Sequence, residues 1–166
     1  MTFASLPRGA LVFVDANAFV YHFTAHPVFG PASRDLLKRI ETGELLASTS
    51  THVVAECMHC LMTIEATTRF GWTQGKVIKR LRQHPDAVKQ LGEFQAAHTR
   101  LRHSPLQIMA VTPSILDAAV SISQQLGLLT NDALLLACMQ AHGLSNLASN
   151  DADFDRVPGI HRYAPV

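Results

Sequence analysis

The stretch LVFVDANAF, Leu11 to Phe19, decides the fold. Leu11, Val12, Phe13 and Val14 form an unbroken apolar run made mostly of strong β-formers. Such a run suits a strand buried on both faces, as in a parallel sheet. It stops at Asp15, and Asn17 follows. A carboxylate in that position must be hydrated, paired or bound to a cation, because burying an isolated charge is very costly. The placement of the other acids decides among these.

Strands and helices alternate along the rest of the chain. SRDLLKRIET, residues 33–42, has helical spacing at Leu36, Leu37 and Ile40, and Gly43 stops it. ELLAST is a second strand. Ser50 or Thr51 caps the helix HVVAECMHCLMTIEAT, whose apolar positions Val53, Cys57, Leu61 and Ile64 recur at helical spacing. After Gly71 and Gly75 the pattern predicts two basic amphipathic helices, at about 76–83 and 86–102, divided by HPD and closed by Pro105. LQIMAV is a third strand. Pro113 opens a helix through Leu126, stopped by Gly127, and Thr130 is expected to cap the helix NDALLLACMQAH. LSNLAS is a fourth strand, NDADFDRVPG a loop, and IHRYAPV a last edge strand. This order predicts an α/β sandwich around a mostly parallel sheet, with helices on its faces.

Composition narrows the class. The chain has 166 residues, 48% of them hydrophobic and 16% charged, with a formal net charge of +1. That is one globular domain's worth of core rather than a disordered chain. Basic residues are concentrated: Thr73 to His103 carries seven Lys/Arg against Asp86 and Glu93. Three cysteines without a small secreted framework point to reduced thiols. Asp15 interrupts the first apolar run before a signal-peptide core could form, and no stretch approaches a membrane span. A cytoplasmic protein with no membrane association is the expectation.

The acids fall where chemistry is done in such folds. Asp15 ends the first strand. Asp151, Asp153 and Asp155 follow the fourth, on the strand edge where open α/β sheets bind ligands. Asp132 lies in the first turn of a helix, where the dipole favours its ionised form. Glu56 interrupts the apolar VVAECM one turn into its own helix. Taken singly, each has a plain structural role: Asp15 as a turn cap with Asn17, Asp132 as a helix-start charge, Glu56 as a solvated residue, Asp151 as an Asx-turn residue. Converging together, they would repel one another and some would protonate. A hard divalent cation, Mg²⁺ or Mn²⁺, removes the conflict.

FVDANAF, the Glu56 helix, TNDALLLACMQAHG and LASNDADFDRVPGI, in that order, resemble the motifs of PIN domains, especially VapC-type toxins of prokaryotic toxin–antitoxin pairs. The resemblance runs from about Leu11 to the C-terminus. It implies a PIN-like three-layer sandwich over residues 1–166 and a metal-dependent endoribonuclease that cleaves RNA with metal-activated water. It implies that Asp15, Glu56, Asp132 and Asp151 hold Mg²⁺ or Mn²⁺, supported by Asn17 and Ser149, with Asp155 as an additional ligand or a cap of the return turn. Asp153 is expected as a solvated loop residue. It also implies an antitoxin partner and a homodimer. The chain departs from minimal members in a basic helical insertion at about 71–103, where Lys76, Lys79, Arg80 and Arg82 are expected to contact RNA phosphates.

Other readings compete. CMHC, Cys57 to Cys60, has no second cysteine pair, and core packing suits it better than a zinc site. Trp72 and Phe94 are expected as packing anchors rather than base-stacking groups. An aspartate-dependent phosphatase of the haloacid dehalogenase type also places Asp after its first strand, but generally has a second Asp two residues on, where this chain has Asn17. A catalytically silent PIN-like binding module is the remaining alternative.

Overall fold

The computed structural model describes all residues from Met1 to Val166. Strands β1 (Leu11–Val14), β2 (Leu46–Ser50), β3 (Leu106–Met109), β4 (Asn146–Ala148) and β5 (His161–Tyr163) form one sheet in the order β3-β2-β1-β4-β5. Every pairing is parallel, so the mostly parallel sheet expected from the sequence is wholly parallel. Eight helices flank it, giving an α/β three-layer sandwich: α1 (Ala16–Phe23), α2 (Gly30–Glu41), α3 (Thr51–Phe70), α4 (Gln74–Gln83), α5 (Pro85–Val88), α6 (Glu93–His103), α7 (Pro113–Leu126) and α8 (Thr130–Ala141). Val12, Phe13 and Val14 have no exposed surface, as a strand covered on both faces requires. Phe13, Phe19 and Phe154 are the largest fully buried side chains. Each contributes about 1.5–3 kcal/mol by leaving water.

Several boundaries differ from the sequence pattern. The chain enters α1, which the sequence pattern does not assign, directly after β1, with Asp15 as its N-cap, its side chain accepting from the Ala16 N–H. Helix α2 begins at Gly30, with Pro31 in its first turn, rather than at Ser33. Thr130 is not the cap of α8: Leu129 takes the extended N-cap conformation, without a side-chain bond, and Thr130 is already helical. The second basic helix is two helices, α5 and α6. Gly92 separates them, and Glu65 of α3 accepts from the Gly92 and Glu93 N–H groups, capping α6 from outside. The loop after β4 contains a 3-10 turn, Ala152–Arg156, capped by Asp151.

The basic segment has its own small core. Val77 and Leu81 of α4 pack with Ala66 of α3 and Leu91, while Lys76, Lys79, Arg80 and Arg82 are exposed. Trp72 is partly buried against Phe70 and His84, and Phe94 packs against both apolar clusters.

Candidate active site

The strand order sets the site. The chain moves outward from β1 to β2 and β3, then returns to place β4 on the other side of β1. The crevice at the carboxyl ends of β1 and β4 is therefore the switch point of the sheet, the place where open α/β folds bind ligands. Asp15 leaves β1 there and Ser149 leaves β4.

Ser149 is fully buried and is the hub of the crevice. Its Oγ donates to Asp15 Oδ2 at 2.6 Å and accepts from Asn17 Nδ2 and the Asp151 N–H, both at 3.0 Å. Asn17 Nδ2 also donates to Asp15 Oδ2, and its Oδ1 accepts from the Asn150 N–H at 3.1 Å. With both ends of its amide engaged, Asn17 is a fixed spacer between β1 and β4, not an acid or base. Asp15 Oδ1 accepts from the Ala16 N–H at 2.6 Å. Oδ2 thus accepts two bonds, while Oδ1 keeps a lone pair beyond its one.

A cavity of about 220 Å³ opens beside this network, lined by Asp15, Asn17, Glu56, Asp132 and Asp151, with Tyr21 on its wall. Glu56 and Asp132 enter it because each sits in the early turns of a helix, α3 and α8, that starts at this edge. The carboxylates of Asp132, Asp151 and Asp153 offer oxygens that all lie within 4.8 Å of one another. Asp153 is exposed, as expected of a solvated loop residue, and the 3-10 turn that Asp151 caps also brings its carboxylate to this acidic group. Asp155, expected as a metal ligand or a turn cap, is instead held by Arg162, Nε and Nη2 each at 2.7 Å from one of its oxygens. Arg162 Nη1 donates to the Ser149 carbonyl as well, at 3.2 Å, so the last strand anchors the loop that carries Asp151.

The electrostatics reflect this crowding. Burial, followed by the negative fields of Glu56 and Asp132, pushes the Asp15 carboxyl up to about 6, against the opposing bonds from Ser149 and Ala16. Asp132 is also raised, first by burial and then by Asp151, Asp153 and Glu56. Asp155 is held low by the Arg162 hydrogen bond. The donor set is all oxygen, anionic and short of positive charge, which fits a hard divalent cation and does not fit a soft one. Cys60 reaches the same wall, but burial and then the Glu56 and Asp15 charges raise its thiol, so it adds no thiolate.

The sequence matches the PIN domain family over residues 12–160. The chain belongs to the PIN domain family. No curated protein shows significant sequence similarity to it. Solved structures share the PIN architecture. VapBC2 from Rickettsia felis, bound to a DNA fragment from its promoter, superposes with a TM-score of 0.61 at 16% identity, covering 93% of this chain and 98% of that one. VapC20 from Mycobacterium tuberculosis, described as a toxin cleaving the sarcin–ricin loop, gives 0.60 at 19% identity over 89% and 95%. A toxin–antitoxin complex from Klebsiella pneumoniae gives 0.59 at 17% over 93% and 98%. At these identities the likeness is one of fold.

Tyr21, Asn131, Asp153 and Arg162 are the site residues that sequence reasoning missed. The alternating acids of NDADFD were a signal for Asp153. Arg162 had none, since its partner is set by how β5 pairs with β4.

Proposed function

We propose that this PIN domain is a metal-dependent endoribonuclease and the toxin of a toxin–antitoxin pair. The observation that carries the reading is the convergence of Asp15, Glu56, Asp132 and Asp151 on one cavity at the switch point of the sheet. Asp15, Glu56, Asp132 and Asp151, joined by Asp153, would hold Mg²⁺ or Mn²⁺. When bound, the cation makes water hydrolytically competent near neutral pH and neutralises charge on a phosphodiester. The protein's part is positional. Ser149 and Asn17 fix the Asp15 carboxylate, and Arg162 fixes the loop bearing Asp151 and Asp153. Water attack on phosphorus leaves a 5′-phosphate and a 3′-hydroxyl. In this reading residues 71–103 are a basic insertion in a single domain spanning 1–166. The partners are RNA, an antitoxin protein and a second copy of the chain. No helix is long and apolar enough to cross a membrane, and all three cysteines are free thiols, which supports a cytoplasmic setting.

The test is incubation of the purified chain with total RNA, with Mn²⁺ or with EDTA, followed by end-mapping. Cleavage with the ion, none with EDTA, and 5′-phosphate ends are expected. Full activity in EDTA, or 2′,3′-cyclic phosphate ends, would sink the reading.

The basic helix α4 should act at a distance. It packs on the far half of α3, and at about 1.5 Å per residue Ala66 lies roughly 15 Å along that helix from Glu56. Neutralising Lys79, Arg80 and Arg82 together to Gln should therefore weaken RNA binding without moving the cut. Each lost contact should flatten the slope of log K against log salt by about 0.7 for a single strand. Arg80 also lies over the Trp72 ring, 5.7 Å from its centroid, so a melting curve must accompany the salt series. Identical slopes for wild type and variant would rule out RNA contact by these three residues and leave a solvated face or a surface that meets a protein partner.

A further inference from the structure

The wall of the acidic cavity continues into a surface of another character. Asn17 and Tyr21 both line the cavity and lie one turn apart on the same face of α1. Tyr21 leans on two further rings, with centroids 4.9 Å from His26 and 5.0 Å from Phe29. His26 and Phe29 are themselves stacked, 5.1 Å apart and 13° from parallel. All three residues are partly exposed, and Pro27 and Val28 beside them are open to solvent. From Ala16 to Ser33 the sequence holds no Asp, Glu, Lys or Arg. An apolar aromatic surface thus adjoins a cavity built of carboxylates.

This surface is preorganised. His26 Nδ1 accepts from the Phe29 N–H at 3.1 Å and the Val28 N–H at 3.3 Å, which fixes its ring. The His26 N–H donates to the Tyr21 carbonyl at 2.9 Å, and the Gly30 N–H to the His26 carbonyl at 2.8 Å. Ala25 is the only non-glycine residue with positive φ, 47°, a conformation that side-chain-bearing residues take up seldom. A Cβ on Gly30 would meet the Ala25 carbonyl carbon at 3.1 Å. These bonds fix the backbone that carries the three rings.

We propose that Tyr21, His26 and Phe29 form a base-stacking shelf that holds the unpaired base of a nucleotide next to the scissile phosphodiester of single-stranded RNA. The inference rests on the ribonuclease reading above and adds a base-binding element to it. Every base has a π-face, so stacking on such rings binds single strands with little sequence preference, whereas a base inside a duplex is not free to reach them. The division of labour follows from charge: the phosphodiester belongs at the acidic, cation-binding cavity, and the uncharged base beside it belongs on the uncharged rings. The Asn150 Nδ2 bond to Tyr21 Oη, 3.0 Å, ties the shelf to the loop carrying Asp151.

The experiment is a cycle between protein and substrate. Once a cut site is mapped, a short single-stranded RNA containing it is made intact and with the adjacent base removed. Wild type, Tyr21→Phe, Tyr21→Leu and Phe29→Leu are compared by kcat/KM on both. On intact RNA the two leucine variants should lose about fivefold to a hundredfold, the range set by stacking of one base. Removing the base should cost wild type a similar factor and the leucine variants almost nothing further. Tyr21→Phe keeps the ring but loses the Asn150 bond, so any loss it shows should be equal on both substrates, and removing the base should still cost it as much as it costs wild type. Equal losses on both substrates in the leucine variants, or a Tyr21→Phe variant as insensitive to base removal as Tyr21→Leu, would make the cluster structural and overturn the shelf. No loss in any variant would also overturn it and give the surface to a protein partner. Failure of wild type to cut any RNA would instead overturn the ribonuclease reading, and the shelf as a substrate site with it.

Discussion

The stability of metal-free Asp15→Asn relative to wild type should rise by about 3 kcal/mol as pH increases from 3.5 to 7.5. The Asp15 carboxyl is raised from 3.8 to about 6. The folded state therefore binds its proton more tightly than the unfolded chain does. The stability this contributes is fully present below about 3.8 and is lost as pH rises through about 6, so wild type weakens across that window. Asparagine has no such proton to lose, and the other acids titrate in both proteins and largely cancel. Replacement also sets an amide nitrogen towards Asn17 Nδ2, which lowers the variant's stability at every pH alike and leaves the slope difference intact. Urea titrations in EDTA at several pH values measure it. Parallel profiles would show that Asp15 is not held protonated and that the acids are not in conflict. Cleavage by this variant should be lost at all pH values.

Asp132→Asn should separate stability from activity in a second way. The change is nearly isosteric, and it removes a charge crowded by Asp151, Asp153 and Glu56. Metal-free melting temperature should hold or rise, while Mn²⁺-dependent cleavage falls by more than about a hundredfold, the upper end of what loss of a mere supporting residue costs a metal site. Calorimetric Mn²⁺ titration should show weakened binding. A collapsed melting temperature with intact ion binding would identify Asp132 as a structural helix-start charge.

Much of this architecture was legible in the sequence because the strong signals were local. Val12 to Val14 announced a strand covered on both faces, and Ser50 does cap α3, its side chain accepting from the Val53 N–H. Helix α1 was hidden because its residues, Phe19, Val20, Tyr21 and Phe23, are β-formers by propensity. Tertiary packing of Ala18 and Phe19 overrides that preference. Thr130 misled because its side chain is a good cap, while the backbone turns one residue earlier, at Leu129. Among the alternating acids of the last loop, nothing local distinguishes Asp153 from Asp155. That choice is made by Arg162, which claims Asp155 once β5 pairs beside β4.

The Asn17–Ser149 bond joins residues 132 positions apart, across nearly the whole chain. A ribosome adding roughly 5–20 residues per second therefore emits Asp15 on the order of ten seconds before the loop that completes its surroundings. Arg162, which anchors that loop, comes later still and must clear the exit tunnel before β5 can pair. Until that loop is made, Asp15 and Glu56 lack Asp151, the last of the cavity acids to be made. The four acids of the cavity can converge only after the loop bearing Asp151 has been made, so the site is completed late in synthesis.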